Sequence, residues 1–134
     1  MKTLKIVLGV LTVVFIVVLT ATSPKREQPI PLYNPATEVR TQGVVQEVQE
    51  FYCPISDDQG IHLKLQTDHG ILLVHVAPAR FLRSQMIRFN NGDQVEVLGS
   101  RVEYQGVDGL LAREISRGEE VIILRDHLGQ PVWQ

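Results

Sequence analysis

The residues of this 134-residue chain with the widest chemical range are its four histidines and one cysteine. Three of the histidines, His62, His69 and His75, lie close together in HLKLQTDHGILLVH, with Cys53 a short way upstream. Neutral imidazole and thiolate both ligate borderline and soft metals, but zinc requires three or four such donors within tetrahedral reach. Spacing alone does not bring these together, and neither CxxC nor HExxH occurs. By alternation with Ile61 and Leu63, His62 is expected to point outward. His69 belongs to a turn. His75 shares the phase of Ile71 and Leu73 and reads as a core histidine whose ring bonds a backbone or carboxylate partner. Cys53 has no second cysteine to pair with and reads as a packed or partly exposed thiol. The reading therefore expects no metal and no cofactor. A metal or haem carrier using histidines is the alternative.

Other polar clusters are weaker. Asp57, Asp58 and Asp108 fall in two expected loops and could offer oxygens to calcium, yet no EF-hand spacing is present. Tyr52 and Tyr104 fall in the same loops, where aromatic rings can stack on a ligand. Arg80, Arg83 and Arg88 form one local basic patch, best read as a solvated helix face. Arg125 and Asp126 are expected to pair beside a turn, with Asp126 starting it. Trp133 is expected to cap the core. GxSxG and phosphate-cradling glycine loops are absent from the sequence, so no enzyme is expected.

The elements that must position these residues begin after an unusual N-terminus. MKTLKIVLGVLTVVFIVVLTATS starts with Lys2 and Lys5 and then runs apolar, at a length shared by long signal peptides and short spanning helices. Residues 1–23 are read as a transmembrane anchor or signal peptide, with an anchor favoured because Pro24 would follow the cut. The flanking lysines lean towards an inside N-terminus and an exported domain. That places the chain in the inner membrane as a single-pass protein with its domain on the periplasmic or outer side, or released if cleaved. Residues 24–37 are proline-rich and read as a linker. Lys2 and Lys5 apart, 11 basic residues face 15 acidic ones, a net charge of about −4. With that acidic balance and only three clustered arginines to meet phosphates, nucleic acid is disfavoured as a partner.

From Glu38 onward, short alternating stretches predict strands. The first, with Val39, Thr41 and Val45, changes phase near Gly43. Ile61, Leu63 and Leu65 mark a second strand. Asp68-His69-Gly70 turns it into a third, Ile71 to Val76. Pro78 opens a short helix that Phe81, Leu82 and Met86 could pack. Asn91-Gly92-Asp93 leads into Val95, Val97 and Gly99. YQGVDG leads to LLAREI, and VIIL follows. Three strands, a helix and two or three more strands predict an all-β fold, a five- to six-stranded OB-fold-like barrel over residues 38–134.

The pattern VHVAP (74–78), GDQVEVLGS (92–100), LLARE (110–114) and LRDHLGQPVW (124–133) resembles a group of exported bacterial OB-fold (BOF-like) domain proteins. A weaker, topological likeness is to the haem chaperones of cytochrome c maturation, also single-anchor exported OB-domains. Those carry haem on a histidine in a tail motif similar to HDExY. This chain has His127 in RDHLGQP instead, so that role passes to no residue here.

The function expected from these readings is a membrane-tethered, non-catalytic binding module in the cell envelope. It would hold a protein, peptide or small ligand on its second and third strands and the adjoining loops, through Tyr52, Asp57, Asp58, His62 and Tyr104.

Overall fold

A computed structural model describes residues 29–134. The reading of residues 1–23 as an anchor or signal peptide falls outside them. Among the described residues no helix is long and apolar enough to cross a membrane.

The domain is all-β, with six strands and one short helix. The strands are β1 (Glu38–Cys53), β2 (Asp58–Thr67), β3 (Gly70–Pro78), β4 (Gln94–Tyr104), β5 (Val107–Arg117) and β6 (Glu120–Ile123). The helix α1 (Ala79–Ser84) joins β3 to β4. The sheet order is β3-β2-β1-β4-β5-β6, and a further parallel pairing joins β3 to β5. Every other strand pairing is antiparallel.

β1 is long because it serves two neighbours. Its first half pairs with β4 from Glu38 to Val44, and its second half pairs with β2 from Val44 to Cys53. The register shift falls between Val45 and Glu47, just past the expected slip at Gly43. Gly43 serves close approach: a Cβ there would lie 2.5 Å from the Gln66 carbonyl oxygen. The core is aliphatic and continuous. Leu63 and Leu65 from β2, Val74 and Val76 from β3, Val97 from β4, Leu110 and Ile115 from β5, and Leu124 are buried together. Burying such side chains is the main favourable term in folding.

Several expected boundaries move. The strands extend into the expected loops, so Tyr52 ends up in β1, Asp58 in β2, Tyr104 in β4 and Asp108 in β5. At the β4–β5 connection the reason is turn chemistry. Gln105 and Gly106 both have positive φ, 52° and 76°, the pattern of a two-residue hairpin turn whose twist suits the flanking strands. The helix also stops early. Leu82 is buried and Phe81 packs at its margin, but Met86 lies beyond the helix in a left-handed conformation and is 92% exposed.

Two of the three patch arginines, Arg80 and Arg83, are drawn into ion pairs. Arg80 Nε meets Asp58 Oδ2 at 2.7 Å, and Arg83 Nη2 meets Glu50 Oε2 at 2.6 Å. Arg125 does not pair with Asp126. Its Nη1 donates to the Gly129 carbonyl, while the Asp126 carboxylate accepts from the Leu128 and Gln130 amides and so organises the turn. Trp133 packs at the edge of the core, 5.8 Å from the Phe81 ring between centroids.

Candidate metal centre

The β2–β3 turn positions the two central histidines. A two-residue turn at Asp68-His69 sets Thr67 opposite Gly70. Counting back along both antiparallel strands then sets His62 directly opposite His75. Directly opposed residues share a sheet face. This face is the one away from Leu63 and Val74, so alternation assigns His62 to the outer side as expected. Solvent does not reach it there: His62 is 1% exposed. Phe51 stacks on its ring, with centroids 3.8 Å apart and planes 6° from parallel. His75 meets it edge-on at 4.9 Å. Ile55, Leu111, Arg125 and Trp133 line the same small cavity. The expected outward-facing histidine is thus corrected to a buried one, because the β1–β2 link and the C-terminal segment fold over the outer face.

Cys53 completes the cluster from the last position of β1. Its Sγ lies 3.7 Å from His75 Nδ1. The partner of His75 is therefore a thiol rather than the expected backbone or carboxylate group. Its ring is half-buried, and Val74 and Val76 on either side of it face the core. One donor atom from each of Cys53, His62 and His75 lies within 4.8 Å of the other two. A shared metal with ordinary metal–sulfur and metal–nitrogen bonds leaves about 3.6 Å between sulfur and nitrogen. The Cys53–His75 separation already has that value. The His62 tautomer is set by its surroundings: Nδ1 sits 3.1 Å from the Gly60 carbonyl oxygen, so it must donate. That leaves Nε2 with its lone pair free to ligate, the usual arrangement around a metal.

One glycine makes room for a ring, and a second lets β5 approach β3 closely. A Cβ at Gly60 would sit 3.1 Å from the His62 ring and 3.2 Å from Cys53 Cβ. One at Gly109 would sit 2.4 Å from the Leu73 carbonyl oxygen.

The electrostatics favour ligand-ready imidazoles. Burial pushes His62 down to about 4. Burial, helped by His62 and by the Arg125 charge, pushes His75 down to about 4 as well. Both rings are neutral near pH 7, the form that binds metals. The Arg125 guanidinium lies 5.1 Å from the Trp133 ring and 5.6 Å from that of Tyr33. Its Nε is buried without a hydrogen-bond partner among the described residues. The space between these groups is about 10 Å³, roughly one water. Beside it, an outward cleft of about 320 Å³ is lined by Phe51, Leu73, Tyr104 and Val107, and reaches Cys53 and His75.

The five residues expected to bind a ligand divide into three groups. His62 belongs to the cluster. Tyr52 and Tyr104 line the adjoining cleft. Asp57 and Asp58 are engaged elsewhere, Asp57 by the Tyr52 hydroxyl and Asp58 by Arg80. Asp108 joins neither of them in a donor cluster among the described residues. His69 is exposed in its turn. Sequence reasoning left Cys53 and His75 out of the candidate set. The hairpin register carried a signal for His75, whereas nothing local connects Cys53 to it. A larger concavity of about 550 Å³, between Gln42, Gln66 and Glu96, lies away from the cluster and contains neither histidine nor cysteine.

A family model described as the MamS/MamX magnetosome protein family matches residues 37–122. The chain belongs to this family. The match runs from the start of β1 into β6 and so includes Cys53, His62 and His75. Arg125 and Trp133, which cover the cluster, lie beyond the MamS/MamX match. No curated protein matches the chain.

Proposed function

We propose that this chain is a magnetosome-associated, metal-holding protein. In this reading it is a small OB-type barrel tethered by residues 1–23, with its domain on the periplasmic or outer side of the inner membrane. Cys53, His62 and His75 hold a thiophilic metal ion. Membership of the MamS/MamX family supports the association. The β3–β5 pairing supports the barrel, since it joins the first strand of the sheet order to the fifth. The observation that carries the metal is the convergence of one sulfur and two imidazoles, drawn from three adjacent strands, within 4.8 Å. In this reading the centre holds the ion, with the outward cleft beside Cys53 and His75 leading to it.

The test is metal titration of the full chain purified in detergent micelles, using Zn(II) and, without oxygen, Cu(I). One ion per chain is expected. Cys53→Ser and His62→Ala should each weaken binding about 100-fold or more while circular dichroism keeps its β signature. Binding that survives both substitutions, or none in the parent chain, overturns the reading.

A second reading keeps the domain as a holder of a peptide or small ligand with no ion. The cleft lined by Phe51, Tyr52, Leu73 and Tyr104 favours it. A chain that takes up no metal, yet binds a hydrophobic fluorescent probe that Tyr104→Ala displaces, would support this reading.

A further inference from the structure

We infer that the Cys53–His62–His75 centre is selective for monovalent copper and holds it three-coordinate, in preference to zinc. The inference rests on the metal-holding reading and specifies its ion.

The donor set comes first. Among the described residues the cluster contains one sulfur and two nitrogens and no fourth donor from histidine, cysteine or a carboxylate. Zinc in a protein site takes four ligands, so here its fourth position would need water or another small ligand. The cavity holds roughly one water, which the ion itself would replace, so that ligand would have to enter from the adjoining cleft. A soft ion content with a sulfur and two imidazoles lacks nothing in this arrangement.

Charge points the same way. A ligating thiol gives up its proton, so the donors contribute one negative charge. Monovalent copper makes the centre neutral, whereas zinc leaves it with a net positive charge. Arg125 already supplies a cation at the cavity wall, and no carboxylate is among the residues lining it. Arg125 is near enough for its charge to act on both Cys53 and His75. Its Nε–H has no acceptor there among the described residues. An added divalent charge beside an unneutralised guanidinium is opposed more strongly than a monovalent one. Most of the remaining wall, Ile55, Ile61, Val76, Leu111 and Trp133, is apolar, and its one oxygen-bearing side chain, Ser56, is a neutral hydroxyl rather than the carboxylate a harder ion prefers.

Binding is a simple exchange. Cu(I) forms bonds to Cys53 sulfur and to one nitrogen of each histidine, and the thiol proton leaves to solvent. Neither copper nor protein changes oxidation state.

The experiment uses the full chain in detergent, loaded anaerobically with Cu(I) and competed with a chromophoric Cu(I) chelator. Zn(II) and Co(II) are then added in equal and tenfold amounts. The expected result is one Cu(I) per chain that neither ion displaces, with X-ray absorption reading three ligands, one of them sulfur. Arg125→Leu should narrow the preference for Cu(I) over Zn(II) by about tenfold. Arg125→Lys, which keeps the charge, should preserve it. Displacement by Zn(II), or a tetrahedral Co(II) spectrum in place of copper, overturns the copper inference and leaves the metal-holding reading standing. Failure to bind any of the three ions overturns both. Unchanged selectivity in a folded Arg125→Leu chain overturns the electrostatic basis of the copper inference.

Discussion

Gly109→Ala is expected to destabilise the domain by about 3 kcal/mol, the upper part of the range for overpacking a tight core. The added Cβ would stand 2.4 Å from the Leu73 carbonyl oxygen, far inside contact distance. Backbone meets backbone there, so no side chain can rotate out of the way. Relief requires β5 to move off β3, and their pairing consists only of Leu73 with Gly109, Val74 with Leu110, and His75 with Leu111. The same shift would drag His75 from its position beside Cys53 and weaken metal binding together with stability. Gly106→Ala is the informative comparison. Nothing lies within 4 Å of a Cβ there, but φ is +76°, so the cost is backbone strain alone, about 1 kcal/mol. Urea unfolding of both variants measures the two effects. A Gly109→Ala chain as stable as Gly106→Ala would mean that the β3–β5 contact yields easily and does not hold the centre in place.

The second large effect is a loss of stability in mild acid. His62 and His75 are held at about 4 in the folded chain, against 6.5 for an ordinary histidine. Between those values the unfolded chain binds protons that the folded chain refuses. Stability is therefore full above about pH 6.5, falls as pH drops, and levels off near pH 4 as the folded rings titrate. One ring shifted by that amount corresponds to roughly 3 kcal/mol over the window. Asp58, Asp93 and Asp126 act lower. Their carboxyls are held below the usual carboxylate range, chiefly by Arg80 for Asp58 and by backbone amides for Asp93 and Asp126. What they contribute is lost only as the pH falls below about 4. Melting temperatures of the metal-free chain between pH 7 and pH 4 should therefore fall steadily, and His62→Gln should flatten the curve. A metal-loaded chain should hold its melting temperature further into acid, because the ion competes with protons for the same lone pairs. A metal-free curve that stays level down to pH 4 would show that water reaches both rings freely.

Much of the fold was legible because strands and turns are short-range features. Leu63 and Leu65 alternate with polar neighbours, and both are buried as the pattern expects. Asp68-His69-Gly70 reads as a turn, and that turn sets the register bringing His62 opposite His75. Pro78 marks the entry to the helix, and the long β1 bulges close to Gly43. Two of the three donors were therefore within reach of the sequence: two histidines on one face of one hairpin.

The rest depended on contacts between residues far apart in the chain. Alternation correctly assigns His62 to the outer face, but only the folded chain decides whether an outer face is wet. Here Phe51 covers the ring, Arg125 and Trp133 arrive from the C-terminal segment, and the face becomes interior. Cys53 reaches His75 because β1 and β3 flank β2 and bring the end of one strand to the middle of the other. Asp58 is occupied by Arg80, a pairing that spacing could not suggest. The strands, their turns and the alignment of two imidazoles follow from local sequence, since those depend on near neighbours and on backbone geometry. Only the folded chain brings a thiol to them, sets a guanidinium beside them and buries the His62 ring, since the first requires β1 and β3 to flank β2 and the others require Phe51 and the segment holding Arg125 and Trp133 to cover the sheet.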